Sequence, residues 1–159
     1  MTNVTDEFPA ADAWFAARGW SPFPFQRQVW QAYLAGRSGL IHAATGTGKT
    51  QAAWWGPLLE WMGEAGSAGE QGGRGAGGKK SGRSGSPAPL RVLWLTPMRA
   101  LAADTERSLR EVIDDLALPW TVDRRTGDTA SAARARQLAR PPTALITTPE
   151  SLSLLLTQP

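Results

Sequence analysis

Apolar side chains recur along this chain with two periods that take turns. Val29, Trp30, Tyr33 and Leu34 return at helical spacing, which predicts a helix over residues 25–35 stopped by Gly36; a shorter helix over 11–18, stopped by Gly19, precedes it. Residues 40–43 are a brief apolar run, expected as a strand, and a glycine turn then leads into a helix over 50–62. Further on, the pattern predicts a strand at 91–96 (RVLWLT), a helix at 99–116, a strand at 120–125, a helix at 131–140, a strand at 143–147 and a helix at 150–156. Strands alternating with helices at this spacing imply right-handed βαβ units and a parallel sheet flanked by helices. The expected fold class is α/β.

One segment breaks the alternation. Residues 63–89 hold 10 glycines in 27 positions and no Val, Ile, Leu, Met or aromatic side chain. Such a stretch buries nothing that would offset its ordering entropy, so it is expected to be a flexible surface insertion. Arg74, Lys79, Lys80 and Arg83 make it basic, and a phosphate backbone is the partner such a charge would suit.

Composition narrows the classes. The 159 residues, 42% apolar and 19% charged, suit one globular domain. The absence of cysteine excludes a disulfide framework, a thiolate zinc site and a cysteine nucleophile. No signal-peptide pattern opens the sequence and no run reaches membrane-spanning length, which gives a cytoplasmic expectation. The formal charge of +3 permits nucleic acid as a partner without requiring it.

The stretch that carries chemistry is His42-Ala43-Ala44-Thr45-Gly46-Thr47-Gly48-Lys49-Thr50, lying between the expected strand and helix. It fits the phosphate-loop pattern GxxxxGK[ST] with Ala43 at its first position, where glycine is commoner. Backbone N–H groups from about Gly46 to Thr50 would cradle a polyphosphate, and the helix that follows adds its positive dipole end. Thr45 and Thr47 belong to the same loop. Lys49 would supply charge to the β and γ phosphates, and the Thr50 hydroxyl would be the protein's ligand to Mg²⁺.

Kinases, GTPases and motor ATPases share that loop, and other strings separate them. From about Phe15 to Pro159 the chain resembles the first motor domain of superfamily 2 DEAD/DExH-box helicases, and within them the large-helicase-related (Lhr) group, in particular its ligase-associated branch. In that family a Gln upstream of the loop reads adenine, and Gln26 in Pro22-Phe23-Pro24-Phe25-Gln26 matches it. Thr96-Pro97-Met98-Arg99-Ala100-Leu101 is similar to motif Ia, with Met98 where the family usually has Leu. Arg125-Thr126-Gly127-Asp128 resembles motif Ib, and Thr147-Thr148-Pro149-Glu150-Ser151 resembles motif Ic. The resemblance implies a RecA-like P-loop NTPase fold, ATP and Mg²⁺ as cofactors, and nucleic-acid contacts from Thr96, Pro97, Arg99, Arg125, Thr126, Gly127, Thr148, Pro149 and Ser151. It further implies single-stranded DNA or a DNA:RNA hybrid as partner, 3′-to-5′ translocation, DNA repair, and ligase or nuclease partners. Since parallel strands bring their C-terminal ends to one sheet edge, the phosphate loop and the three motifs are expected along one rim.

Three tempting signals carry less. Asp114 and Asp115 lie inside an unbroken helical period and are expected on a helix surface. His42 is expected to be packing beside a buried strand. Of eight tryptophans, Trp30, Trp54, Trp61 and Trp94 occupy expected core positions, and Trp20 is the least constrained.

In the family an Asp-Glu-x-His acidic motif follows the motif Ic helix, and a second motor domain brings an arginine finger; neither string occurs in these residues. The chain is therefore expected to be an N-terminal part of the first motor domain, 1–159, incomplete at the C-terminus, binding ATP without hydrolysing it. The family's sheet would then lack its middle strands, with poor stability and open strand edges. Two other functions stay open on the residues alone: a small P-loop phosphotransferase, and a non-catalytic nucleotide or nucleic-acid binding module.

Overall fold

The structure, a computed structural model, describes residues 8–70 and 90–157. It divides into two compact units, Met1–Lys80 and Ser81–Pro159.

The first unit holds three helices: α1 (Pro9–Ala16), α2 (Pro24–Leu34) and α3 (Lys49–Glu70). Proline opens both α1 and α2, where its missing N–H costs nothing because the first turn has no intrahelical acceptors. Aromatic rings make the core. Trp30 meets Phe8 edge-on at 5.3 Å and Trp55 at 6.2 Å, and Trp14 meets Trp55 at 5.8 Å. Phe15 also lies against both Trp30 and Trp55. Trp30 and Trp55 are fully buried, and rings of this size remove much apolar area from water. Trp54 is buried too, as its spacing implies, whereas Trp61 and Trp94, also expected in the core, are half-buried; Trp20 is exposed.

Two expectations fail in this unit. Residues 40–43 form no strand: none of the described strands pairs with them, Leu40 is 92% exposed, and His42 is exposed rather than packed. An apolar tetrapeptide becomes a strand only when a neighbour takes its backbone N–H and C=O groups, and periodicity says nothing about the neighbour. The second correction concerns α3, which does not stop at 62 but runs on to Glu70, into the stretch expected as a loose insertion. Extending an existing helix fixes one residue per added hydrogen bond, and the Glu and Ala residues at 64, 65, 68 and 70 are favourable to it despite the glycines. The rest of that insertion, with Arg74, Lys79, Lys80 and Arg83, lies outside the described residues.

The second unit is a parallel sheet with helices. Its strands are β1 (Val92–Leu95), β2 (Val122–Arg125) and β3 (Ala144–Thr147), and its helices are α4 (Arg99–Asp115), α5 (Ser131–Ala139) and α6 (Pro149–Leu156). The order is β1-β3-β2, with Val92 and Val122 both opposite Ala144, and Leu95 and Arg125 both opposite Thr147. β3 is buried along its whole length, as a strand paired on both edges should be. β1 pairs only with β3 among the described strands, and alternates half-buried with exposed. The apolar stripe of α4, through Ala102, Leu109, Val112 and Ile113, is buried, while Asp114 and Asp115 are exposed on its outer face.

Candidate nucleotide and nucleic-acid sites

In the first unit the phosphate loop ends where α3 begins. Lys49, Thr50 and Gln51 occupy the first turn of α3, so their N–H groups have no intrahelical acceptor; the ladder opens with the Ala52 amide donating to the Gly48 carbonyl at 3.0 Å. Gly46 and Gly48 take φ of +82° and +80°, the left-handed region that any side chain would strain. The Lys49 ammonium arches back over the loop and donates to the carbonyls of Ala43 and Ala44, at 2.8 Å each. The Thr47 hydroxyl closes the loop's front by donating to the Ala44 carbonyl at 2.7 Å. Thr45 is exposed and Thr50 half-buried. Amides at a helix start, a cation folded across them and two residues free of Cβ together make a cradle for a polyanion.

Gln26 is bound to this loop more tightly than its motif alone conveys. It stands in the first turn of α2, only 1% exposed, and uses its amide twice. Its Oε1 accepts from the Phe23 amide at 2.8 Å, the reciprocal arm of a capping box, and its Nε2 donates to the Gly48 carbonyl at 3.0 Å. A Cβ on Gly48 would lie 2.8 Å from that Nε2. These two bonds use one N–H and one lone pair of the amide.

In the second unit all three motif strings follow strand ends on the same edge of the sheet. Thr96 and Pro97 follow β1, Thr126 and Gly127 follow β2, and Thr148 and Pro149 lead from β3 into α6. The expected rim exists for these three motifs; the residues expected as a further strand, 40–43, are not part of this sheet. Although β3 separates β1 from β2, Arg99 and Asp128 reach across: Arg99 Nη1 donates to Asp128 Oδ1 at 2.9 Å. Both side chains are mostly exposed, so the pair orients the guanidinium more than it stabilises the fold. The same guanidinium lies over Gly127, where a Cβ would meet its carbon at 3.2 Å. Glu150 completes the group. Its own backbone amide and the Thr148 hydroxyl hold its carboxyl below the usual range, and the nearby Arg99 charge adds to them.

The remaining motif residues have structural duties as well. Thr148 caps α6 by accepting from the Ser151 amide at 3.5 Å, and the two hydroxyls lie 3.2 Å apart; both residues are buried. Thr96 is buried, and its hydroxyl donates to the Met98 carbonyl at 3.0 Å. Arg125 is buried at the end of β2, and desolvation, then the like charge of Arg134, lower its affinity for its proton. Its carbonyl accepts the buried Thr147 hydroxyl at 2.6 Å.

Motif reading missed Arg134, on α5, which donates from Nη2 to the carbonyls of Gly127 at 2.7 Å and Thr126 at 3.3 Å. The only signal in the amino-acid order is an arginine one turn into the helix after the Thr-Gly string. Among the described residues no cluster of His, Cys, Asp and Glu could hold a metal by itself, and no helix is long and apolar enough to cross a membrane. The Thr50 hydroxyl at the mouth of the cradle is chemically suited to a hard cation already held by phosphate oxygens.

Comparison with known proteins shows the family. The model of the DEAD/DEAH box helicase family matches residues 23–159. The Lhr helicase/probable uracil glycosylase of Mycolicibacterium smegmatis is 36% identical over 156 residues, a match covering 91% of this chain and 9% of that protein. The ATP-dependent helicase Lhr-Core of Methanocaldococcus jannaschii is 30% identical, with 92% of this chain and 17% of that protein covered. The solved structure of Mycobacterium smegmatis helicase Lhr bound to single-stranded DNA and AMP-PNP superposes with a TM-score of 0.66 at 32% identity, over 98% of this chain and 18% of that one. The chain thus spans less than a fifth of these relatives. The likeness carries the fold with it, a RecA-like parallel sheet flanked by helices. With a phosphate cradle in one unit, three strand-end motifs in the other and a family match spanning both, the chain belongs to the DEAD/DEAH box helicases and is similar to their Lhr members over most of its length.

Proposed function

We propose that residues 1–159 are the ATP-binding part of the first motor domain of an Lhr-type, ATP-dependent DNA helicase. The observation that carries this reading is the loop in which Lys49 folds over Ala43 and Ala44 at the start of α3, between two left-handed glycines and Gln26. Gly46, Thr47, Gly48, Lys49 and Thr50 hold the phosphates, Thr45 lines the loop, and Gln26 selects adenine with the N–H and lone pair it has left. Lys49 leaves the two carbonyls for the β and γ phosphates, a move favoured because a phosphate is a charged acceptor and a carbonyl is not. Mg²⁺, held by Thr50 and the phosphates, supplies charge neutralisation.

On the second unit, Thr96, Pro97, Arg99, Arg125, Thr126, Gly127, Thr148, Pro149 and Ser151 form the surface that meets the sugar-phosphate backbone of single-stranded DNA, or of a DNA:RNA hybrid. The helix start at Pro149 and the exposed Arg99 supply positive potential; the buried Thr96, Arg125, Thr126, Thr148 and Ser151 act from beneath by shaping the rim. From the family resemblance of its motifs we further propose for the parent enzyme 3′-to-5′ translocation, a role in DNA repair with ligase or nuclease partners, and a cytoplasmic location. Assayed as it stands, the chain binds Mg-ATP without sustained turnover. Of the segment 63–89 expected as an insertion, 63–70 belongs to α3 and 71–89 lies outside the described residues.

Calorimetric titration tests the reading. Magnesium-dependent binding of ATP that falls at least tenfold in Lys49→Ala supports it, as does salt-sensitive binding of oligodeoxythymidine. Equal affinity of the wild type and Lys49→Ala for ATP overturns it.

A further inference from the structure

Carbonyls held from one side turn their amides to the other. In a trans peptide the C=O and N–H vectors are antiparallel, so a group that collects two successive carbonyls directs the two following N–H groups away from itself. Arg134 does this to the motif Ib loop: its Nη2 collects the carbonyls of Thr126 and Gly127, which turns the amides of Gly127 and Asp128 outward. The loop is braced at its ends as well. The Thr126 amide donates to Thr129 Oγ1 at 2.9 Å and the Thr129 amide to the Thr126 carbonyl at 3.1 Å, leaving the turn little freedom to flip a peptide. The Arg99 guanidinium lies over Gly127 with its Nη1 on Asp128. Two outward amides under a guanidinium match the tetrahedral, bidentate demand of a phosphodiester.

We propose that Arg134 is a positioning residue for this rim: from behind the Thr126-Gly127 loop it aims the Gly127 and Asp128 amides at a backbone phosphate that Arg99 meets from the front. The proposal rests on the strand-gripping reading above. It also assigns Asp128 a part, as the internal anion that holds Arg99 in place and that an arriving phosphate must outbid. Arg134 itself stays behind the loop and touches no phosphate, and this separates positioning from simple attraction.

The amide resonances of Gly127 and Asp128 are followed while oligodeoxythymidine is added to the wild type, Arg134→Gln and Arg134→Lys, and affinity is measured over a range of salt. The expected result is that both amides respond in the wild type and lose that response in Arg134→Gln, with affinity about fivefold weaker and an unchanged salt slope, since a neutral amide releases no counterion. Arg134→Lys, which keeps a donor behind the loop, restores part of the response and serves as the second variant if Arg134→Gln does not fold. A salt slope reduced by about 0.7 in Arg134→Gln would make Arg134 a direct phosphate contact and overturn the proposal. Persistence of both amide responses in Arg134→Gln would overturn it equally. If oligodeoxythymidine moves no resonance near Thr96, Thr126 or Thr148 in the wild type, the strand-gripping reading falls and takes this inference with it; a wild-type response that Arg134→Gln leaves intact sinks this inference alone.

Discussion

Gln26 Nε2 donates to the carbonyl of Gly48, 22 residues away in sequence, and Gly48 has room for that contact only because it lacks a Cβ. A helix cap and a phosphate loop are thereby locked to one another. The same side chain that accepts the N-cap amide of α2 also holds the Gly48 carbonyl just before Lys49.

Gln26→Glu separates those two duties. The carboxylate still accepts from the Phe23 amide but meets the Gly48 carbonyl oxygen-to-oxygen, so α2 keeps its cap while the loop loses its tether. Stability should fall by about 1–3 kcal/mol, the cost of a buried polar group left without its partner, and ATP affinity should fall more than in Gln26→Ala. Denaturant unfolding and nucleotide titration on the two variants check this; wild-type affinity in both would remove Gln26 from the nucleotide site.

Gly46 and Gly48 provide an internal control. Both hold φ near +80°, but a Cβ at Gly46 meets nothing within 4 Å, whereas one at Gly48 meets Gln26 Nε2 at 2.8 Å. Gly46→Ala should cost about 1–2 kcal/mol of left-handed strain, and Gly48→Ala more. The excess should shrink when Gly48→Ala is combined with Gln26→Ala, a coupling that a double-mutant cycle on unfolding free energies reads directly. Additive losses would contradict the contact.

Thr147 tests the rim from below. Its buried hydroxyl donates to the Arg125 carbonyl at 2.6 Å, tying β3 to the motif Ib strand. Thr147→Val keeps the shape and removes the donor, and should destabilise by about 1–3 kcal/mol in chemical denaturation. A loss below about 0.5 kcal/mol would mean that the carbonyl finds another donor.

Glu150 gives a pH dependence with a definite sign. Its folded pKa lies below the ordinary carboxyl value of about 4.5, first through its backbone amide and then through Thr148. A lowered carboxyl stabilises the fold above about pH 4.5 and loses that contribution as the pH falls through the folded value. Glu150→Gln should therefore flatten the acid limb of stability below about pH 4.5 and leave the region above pH 7 without slope change, as thermal melts across pH will read.

The open edge of β1 makes a prediction about behaviour in solution. Leu93 and Leu95 are 44% and 49% exposed on a strand that pairs with one neighbour among the described strands. Leu93→Lys with Leu95→Lys should lower light scattering of this chain at a given concentration, because charge on an edge strand opposes edge-to-edge pairing. Unchanged scattering would place the association surface elsewhere.

Periodicity and local chemistry sufficed for much of this molecule. Three of the expected strands and every expected helix occur, with α3 running eight residues past its expected end, because an apolar stripe, a proline at a helix start or a glycine stop acts through neighbours a few residues away. The phosphate loop was legible for the same reason: Gly46, Gly48 and Lys49 are adjacent in the chain, and their chemistry is local. Long-range pairing was not legible. Residues 40–43 have the composition of a strand yet no ladder, since a strand depends on a partner whose arrival local order does not encode. The bond from Gln26 to Gly48, the reach of Arg99 over β3 to Asp128, and the hold of Arg134 on the Thr126-Gly127 loop each join residues by way of the packed fold. Side-chain direction and sheet order create those meetings, and both arise only when the elements have docked.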